Sequence, residues 1–275
     1  MPPIEDSRVI APDAPQYNAT LVRRVDQTDD LAYFWVKLDD EPIPFASGQY
    51  MTIGVLTDDR ILQRPYSVAS APRVAGSEGY EFYVRHVPIV RFTTALWRLP
   101  VGHRMRMIGP KGRFMLEPDD TRTHLYVSTG TGIAPFLSMI RETQADDDPR
   151  RTVLLHGASY VDEIGYQEEL DELIAAGYPL TFVPTVSRAG HARNAGWDGR
   201  TGRVEANVAS VCEELDLRPE ATVVYICGNP EMILNVEAVL MDRGFPEFHV
   251  KKELYWPKGK GVPAAAGAGA ATTTG

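Results

Sequence analysis

Two patterns of secondary structure follow one another along this chain, and they meet near residues 117–123. Up to about Ile108, short β-rich runs are separated by turn residues, and one helix is predicted over Thr93 to Leu99. Beyond the junction, apolar strands alternate with helical segments. The first pattern is typical of a small antiparallel barrel, and the second of a parallel sheet with helices on both faces. The predicted strands of the first half are Tyr17–Val25, Leu31–Leu38, Gln49–Val55, Pro65–Ala69, Tyr80–Val87 and Arg104–Ile108.

The sequence therefore predicts an antiparallel β-barrel domain over residues 17–116, followed by an α/β parallel-sheet domain over residues 117–256. The total of 275 residues is enough for two domains with their own cores. Residues 1–16 contain four prolines and are predicted to form an extended arm. Residues 257–275 consist largely of Gly, Ala and Thr, which predicts a disordered low-complexity tail.

Composition excludes several classes of protein. No apolar run approaches the roughly 20 residues that a membrane-spanning helix needs, and the first residues do not resemble a signal peptide, so we expect a cytoplasmic protein without membrane contact. The net charge of −9 argues against nucleic-acid binding. Two cysteines, Cys212 and Cys227, are too few for an iron–sulfur cluster or a zinc site, and we expect no bound metal.

Positive charge is concentrated in one segment of this acidic chain. Between Val84 and Leu116 there are seven Lys or Arg residues and no Asp or Glu: Arg85, Arg91, Arg98, Arg104, Arg106, Lys111 and Arg113. Such a segment can steer an acidic partner or an anionic ligand. The alternative is that these residues are only the solvated faces of strands.

A glycine-rich stretch in the second half has the context of a phosphate-binding turn. Thr129-Gly130-Thr131-Gly132-Ile133-Ala134-Pro135 follows an apolar strand and opens a helix. Backbone N–H groups at such a turn can hold a pyrophosphate. Pro135 occupies the position where the usual dinucleotide fingerprint has its third glycine, so the match to that fingerprint is incomplete.

Three motifs in this order resemble the ferredoxin–NADP(+) reductase family: Arg64-Pro65-Tyr66-Ser67, the glycine-rich stretch, and Cys227-Gly228-Asn229-Pro230. The resemblance implies that the first motif binds FAD, with Arg64 on the pyrophosphate, Tyr66 on the isoalloxazine and Ser67 near the flavin N5. It places Tyr83 and Arg85 near the ribityl and adenosine side. It also places Thr93 and Thr94 at a helix start that receives the FAD pyrophosphate, although the glycine usual there is absent.

The same resemblance implies a site for NADP(H) in the second domain. Arg188 and Arg203 would bind the 2′-phosphate, while Ser159 stands where a further arginine of the family would fall. Cys227 and Gly228 would lie beside the nicotinamide.

Near the end of the chain, Glu253-Leu254-Tyr255-Trp256 resembles the family's closing segment. The resemblance implies that Tyr255 covers the flavin where nicotinamide must stack, that Glu253 relays protons with Ser67, and that Trp256 reaches the FAD adenine.

Taken together, the resemblance implies an FAD-dependent oxidoreductase that passes hydride between NADP(H) and flavin N5 and exchanges electrons with ferredoxin or flavodoxin, docked at the basic segment. Two alternatives remain open. One is a reductase of the same fold that serves an oxygenase's electron carrier, and the other is a nucleotide-binding module without flavin.

Overall fold

The amino-terminal half forms a six-stranded antiparallel sheet because apolar side chains alternate along its strands and share one buried face. In the computed structural model, which describes residues 10–58, 60–117 and 120–254, the strand order is β4-β3-β6-β1-β2-β5. The Ala69 amide donates to the Glu81 carbonyl at 2.8 Å, so the edge strands β4 and β5 approach and the sheet curls into the predicted barrel. Its elements are β1 Ala19–Thr28, β2 Leu31–Leu38, β3 Tyr50–Leu56, β4 Ile61–Ser67, α1 Ala75–Glu78, β5 Tyr80–Arg85, α2 Arg91–Trp97 and β6 Arg104–Lys111.

The carboxyl-terminal half is a six-stranded parallel sheet in the order β10-β9-β8-β7-β11-β12. Two helices, α3 and α4, pack on the face toward the barrel, and α5 and α6 pack on the other face. This is the predicted α/β architecture. The elements are β7 Thr123–Thr129, α3 Ala134–Ala145, β8 Thr152–Ala158, α4 Gln167–Ala175, β9 Leu180–Val186, β10 Arg200–Thr201, α5 Val204–Glu214, β11 Thr222–Gly228, α6 Pro230–Asp242 and β12 Val250–Leu254.

Strand order in the second sheet reverses between β7 and β11. The chain runs outward from β7 through β8, β9 and β10, and then returns to place β11 and β12 on the other side of β7. In open sheets of this kind, ligands bind outside the carboxyl ends of the strands at the point of reversal.

The two sheets are joined by a charged cluster around Arg141 of α3. Its guanidinium contacts the carboxylates of Glu81 on β5 at 2.7 Å and Glu169 on α4 at 2.6 Å, and it also donates to the Ala69 carbonyl at 2.9 Å. Glu81 is only 4% exposed. Arg141 therefore fixes the end of β4 and the start of β5 against the second domain.

Local differences from the predicted elements lie at boundaries, at the short helix α1, which was not predicted, and at polar strands. β4 begins at Ile61 and ends at Ser67, earlier than the predicted Pro65–Ala69. β12 was not predicted, because Lys251, Lys252 and Glu253 make it a charged edge strand, which is how edges are commonly protected. Within the described residues, no helix has the length and apolar character that crossing a bilayer requires.

Candidate active site at the junction of the two sheets

A cleft of about 590 Å³ opens at the carboxyl ends of β7, β8 and β11, where the strand order reverses. Its walls include Thr129, Gly130, Thr131 and Gly132 after β7. The other lining residues used below are Ser159, Ser187, Arg203, Gly228, Asn229 and Pro230. The structure thus brings the glycine-rich turn and the segment after Cys227 to the same cleft.

Gly132 is required by how closely this turn approaches β11. A Cβ built on Gly132 would lie 2.5 Å from the Cys227 carbonyl oxygen and 2.6 Å from the Gly228 Cα. A side chain cannot enter that space without moving backbone. The turn also lines the cleft, and a glycine-rich turn at the start of a helix is a common site for a phosphate group. Pro135 is buried in the first turn of α3, where its missing N–H costs nothing. The residues present fit the diphosphate of a nicotinamide dinucleotide.

The flavin motif occupies the second half of β4. Arg64 and Pro65 are exposed, Tyr66 is partly buried against Phe92, and Ser67 is 3% exposed. The Arg64 guanidinium donates to the neighbouring Gln63 carbonyl and has no carboxylate partner among the described residues, so it remains available to an anion. Burial raises the pKa of the Tyr66 hydroxyl, which keeps this side chain neutral. An exposed cation beside a neutral aromatic ring fits a flavin nucleotide.

Ser67 links the barrel to the second sheet. Its Oγ donates to Glu253 Oε2 at 3.5 Å, although the two residues are 186 positions apart. Burial raises the pKa of the Glu253 carboxyl to about 7, and the Ser67 hydrogen bond opposes part of that rise. Glu253 of β12 is in register with Cys227 of β11, which is buried. Three predicted catalytic residues, Ser67, Cys227 and Glu253, therefore meet at one junction.

Tyr83 does not join this group, and its predicted place near the ribityl and adenosine side of FAD stays a prediction. The ring is 2% exposed and stacks on Tyr33 at 4.7 Å, and the hydroxyl donates to Gln27 at 2.7 Å. Its place is the packed interface between the domains. An aromatic residue on a strand is equally suited to a core and to a ligand contact, so the sequence alone does not distinguish the two.

Arg85 lines the cleft, but its charge is already compensated. It pairs with Asp30 at 2.7 Å and with the buried Glu163 at 2.9 Å. Glu163 lies in the second domain, so this pair is a further link between the domains. The predicted role of Arg85 near the ribityl and adenosine side of FAD stays a prediction.

Thr93 and Thr94 direct their hydroxyls into their own loop. Thr93 Oγ1 donates to backbone carbonyls and accepts from the Val87 amide at 3.1 Å, while Thr94 Oγ1 contacts His86 Nε2 at 3.4 Å. Both side chains stabilise the turn before α2 instead of presenting hydroxyls to a phosphate. The predicted contact of Thr93 and Thr94 with the FAD pyrophosphate stays a prediction.

Two arginines near the cleft rim have no acidic partner, whereas two neighbouring arginines do. Arg188 and Arg203 are exposed and have no ion pair within the described ranges. Arg193 pairs with Asp162 at 2.7 Å, and Arg200 pairs with Glu214. Arg203 precedes α5 directly at the cleft wall. Arg188 and Arg203 therefore carry uncompensated charge, whereas the charges of Arg193 and Arg200 are already paired.

The basic segment is less positive than its sequence indicated, because Arg104 pairs with Asp39 just as Arg85 pairs with acidic neighbours. Lys111 and Arg113 are exposed and form no ion pair with any described residue. Tyr50 of β3 is the register partner of both Lys111 and Ser67, so Lys111 lies two strand spacings, about 10 Å, from Ser67.

Tyr255 and Trp256 lie outside the described residues, as do most of the predicted arm and the predicted tail. Sequence reasoning missed Arg141, Tyr160 and Asn194, which fix the domains and the cleft rim. Their partners are distant in sequence, so no local pattern could have revealed them.

The fold and the cleft define a class of protein, a two-domain oxidoreductase that binds FAD and a nicotinamide dinucleotide. Residues 18–116 match the family described as "Oxidoreductase FAD-binding domain", and residues 126–238 match "Oxidoreductase NAD-binding domain". A ferredoxin–NADP reductase B of Sorangium cellulosum is 32% identical over 80% of this chain and 88% of its own length. The chain belongs to the ferredoxin–NADP(+) reductase family of flavin-dependent oxidoreductases.

Other relatives show the breadth of this family. The reductase component 1 of a terephthalate 1,2-dioxygenase from Comamonas is 29% identical over 73% of this chain, which corresponds to 56% of that protein. A ferredoxin NADP+ reductase from Neisseria gonorrhoeae, solved with bound FAD and NADP, has the same fold, with a TM-score of 0.75 and 23% identity over 87% of this chain and 99% of that one.

Proposed function

We propose that this enzyme transfers electrons between NADP(H) and a small one-electron carrier, ferredoxin or flavodoxin. The observation that carries the proposal is the contact between Ser67 and Glu253, which brings the β4 motif to the carboxyl end of the parallel sheet beside Cys227. A flavin held on β4 and a nicotinamide held in the cleft would meet at this junction. The bound flavin supplies the exchange between a two-electron hydride and single electrons.

The residues of the chain bind and align the two cofactors. Arg64 offers its guanidinium to the FAD pyrophosphate, and Tyr66 offers an aromatic face to the ring system. The turn at Gly130 and Gly132 holds the diphosphate of NADP(H) through backbone N–H groups. Cys227 is buried directly before the cleft residue Gly228, and it is proposed to support the place where the nicotinamide approaches β4.

Glu253 is proposed to hold the proton that accompanies electron transfer. Oxidation of NADPH by single-electron carriers releases a proton, which the Glu253 carboxylate can accept through the Ser67 hydroxyl and pass to solvent. The reverse reaction consumes a proton, which the protonated carboxyl can supply. Its pKa of about 7 allows both roles near neutral pH.

The rate of carrier reduction by NADPH should therefore rise as the pH increases through about 7, and the reverse rate should fall over the same interval. Glu253→Gln should flatten both pH profiles and slow turnover by about tenfold. Loss of a fully enclosed base would slow turnover more, but water can reach this partly exposed group and replace part of its role. Steady-state rates in both directions test this. The exposed Glu247→Gln serves as the control, and an unchanged pH profile in Glu253→Gln would exclude the proton role.

NADP(H) is proposed over NAD(H) because Arg188 and Arg203 present uncompensated charge at the cleft rim. Arg188→Ala should raise the KM for NADPH by roughly tenfold, equivalent to about 1.5 kcal/mol for a charge-assisted bond at an exposed site, and leave the KM for NADH unchanged. Arg200→Ala is the matched control, since Arg200 is already paired with Glu214. An equal loss with both nucleotides would contradict the assignment.

The carrier is proposed to dock beside Lys111 and Arg113, which are exposed near Ser67. Reduction of ferredoxin should slow steeply with added salt, because exposed charges are screened beyond about 8 Å at physiological ionic strength. Reversing both charges to Glu should remove most of this salt dependence. Reversing Arg218, which precedes β11 at the opposite end of the sheet, should not. A salt-independent rate with the unmodified enzyme would point to an apolar docking surface.

A second candidate function is favoured by the similarity to the Comamonas dioxygenase reductase component. In that case the acceptor is the electron carrier of an oxygenase. Measuring kcat/KM with a panel of ferredoxins, flavodoxins and oxygenase ferredoxins separates the two candidates, because the physiological carrier should give the highest value.

A further inference from the structure

Tyr160 lies at the cleft rim directly after β8 and beside the lining residue Ser159. It is 8% exposed, and three side chains from the loop after β9 surround its ring. The Arg193 guanidinium lies 3.8 Å above the ring centroid, and the His191 ring is 4.7 Å away. Arg188 donates from Nη1 to the Tyr160 hydroxyl at 2.6 Å. The phenol is therefore a fixed support for an otherwise exposed loop.

The two arginines that contact Tyr160 are not equivalent. Arg193 gives its charge to Asp162 and Glu163. Arg188 has no carboxylate partner in the part of the chain that the structure describes, and its closest polar contact is the neutral phenol oxygen. A phenol orients a guanidinium without cancelling its charge, which leaves the remaining N–H groups directed to an anion.

The backbone of Arg188 is held independently of its side chain. Asn194, which is 4% exposed, donates from Nδ2 to the carbonyls of Ser159 and Arg188 at 3.1 and 2.9 Å, and accepts from the Val161 amide at 2.7 Å. The Ser187 amide donates to the Ala158 carbonyl at 2.9 Å. Asn194 therefore fixes the backbone position of Arg188, and Tyr160 fixes the position of its guanidinium.

We propose that Tyr160 is a positioning residue for nucleotide specificity, holding Arg188 in place for the 2′-phosphate of NADP(H). Ser159 lines the cleft but carries no charge. Binding of the 2′-phosphate therefore depends more strongly on how well Arg188 is preorganised. This inference rests on the proposed preference for NADP(H) and adds a residue that does not itself touch the phosphate.

The test compares two probes that differ only in the 2′-phosphate, adenosine 2′,5′-bisphosphate and adenosine 5′-monophosphate, by calorimetric titration of the FAD-loaded protein. Tyr160→Phe removes the hydroxyl and keeps the ring. It should weaken binding of the bisphosphate by roughly three- to tenfold, as expected for the loss of one hydrogen bond, and leave the monophosphate unchanged. In steady state the same variant should raise the KM for NADPH and keep kcat.

A double-mutant cycle separates positioning from a general structural effect. In an Arg188→Ala background, Tyr160→Phe should have no further effect on the bisphosphate. Tyr178→Phe is the matched control, because that hydroxyl bonds to Thr143 and lies at the other end of the sheet. If Arg188→Ala weakens binding of the bisphosphate but Tyr160→Phe does not, the proposed positioning role of Tyr160 is wrong. If Arg188→Ala itself has no effect, the proposed NADP(H) preference fails instead.

Discussion

Replacing Gly132 by valine is expected to raise the KM for NADPH by up to about 100-fold, because overpacking at a site without free volume costs up to about 3 kcal/mol. The built Cβ meets the Cys227 carbonyl at 2.5 Å, and that contact is with backbone, which cannot rotate away. Either the turn moves off β11 or β11 itself is displaced, and both changes disturb the N–H groups that face the diphosphate. Gly132→Ala should give a smaller effect of about tenfold in the same direction.

Gly190→Val is the matched control for this substitution. Gly190 is exposed, and a Cβ there meets no atom within 4 Å. The FAD content of Gly132→Val should remain that of the unmodified protein, because the substituted turn belongs to the other domain. A Gly132→Val or Gly132→Ala variant with the original KM would show that the turn does not bind the diphosphate.

Removing the Arg141 side chain is expected to lower the free energy of unfolding by about 3–5 kcal/mol. Arg141→Ala leaves the carboxylate of Glu81 buried between the domains without its partner. Burial alone would lower the pKa of Arg141, but its bonds to Glu169 and the charge of Glu81 raise it, so the cation is retained throughout the accessible pH range. Urea denaturation of the FAD-loaded protein at fixed FAD concentration measures the loss.

Arg73→Ala is the control, because the pair between Arg73 and Asp146 is solvent-exposed and should contribute no more than about 1 kcal/mol. Adding Glu81→Gln to Arg141→Ala should recover a substantial part of the lost stability, since the buried charge is then removed. A loss below about 1 kcal/mol for Arg141→Ala would mean that the cluster does not hold the domains together.

The sequence predicted both sheets because each depends on local patterns. Alternation within β3 and the strand–helix repeats after residue 123 are visible in short windows. The glycine-rich turn was also recognisable locally, because its glycines follow β7 within three residues and Gly132 has no room for a side chain. Strand β12 was not predicted, because its residues Lys251–Glu253 are charged and a search for alternating apolar residues does not find such a strand.

Residue roles that depend on distant partners were harder to predict. The ion pair between Arg85 and Glu163 could not be predicted, because the two residues are 78 positions apart. The meeting of Ser67 with Glu253 came only from the family resemblance, since nothing in the sequence joins β4 to β12. Likewise, Tyr160 and Arg188 lie 28 positions apart on loops after different strands, and only the parallel pairing of β8 with β9 brings them together.

The central claim is that the cofactors held by β4 and by the cleft exchange electrons at the junction of Ser67, Glu253 and Cys227. Anaerobic rapid mixing of the FAD-loaded protein with NADPH, followed by flavin absorbance, tests it most directly. We predict that the flavin bleaches within the time of one turnover, with a lower half-saturating concentration for NADPH than for NADH. A flavin that is bound but stays oxidised with both nucleotides would contradict the account.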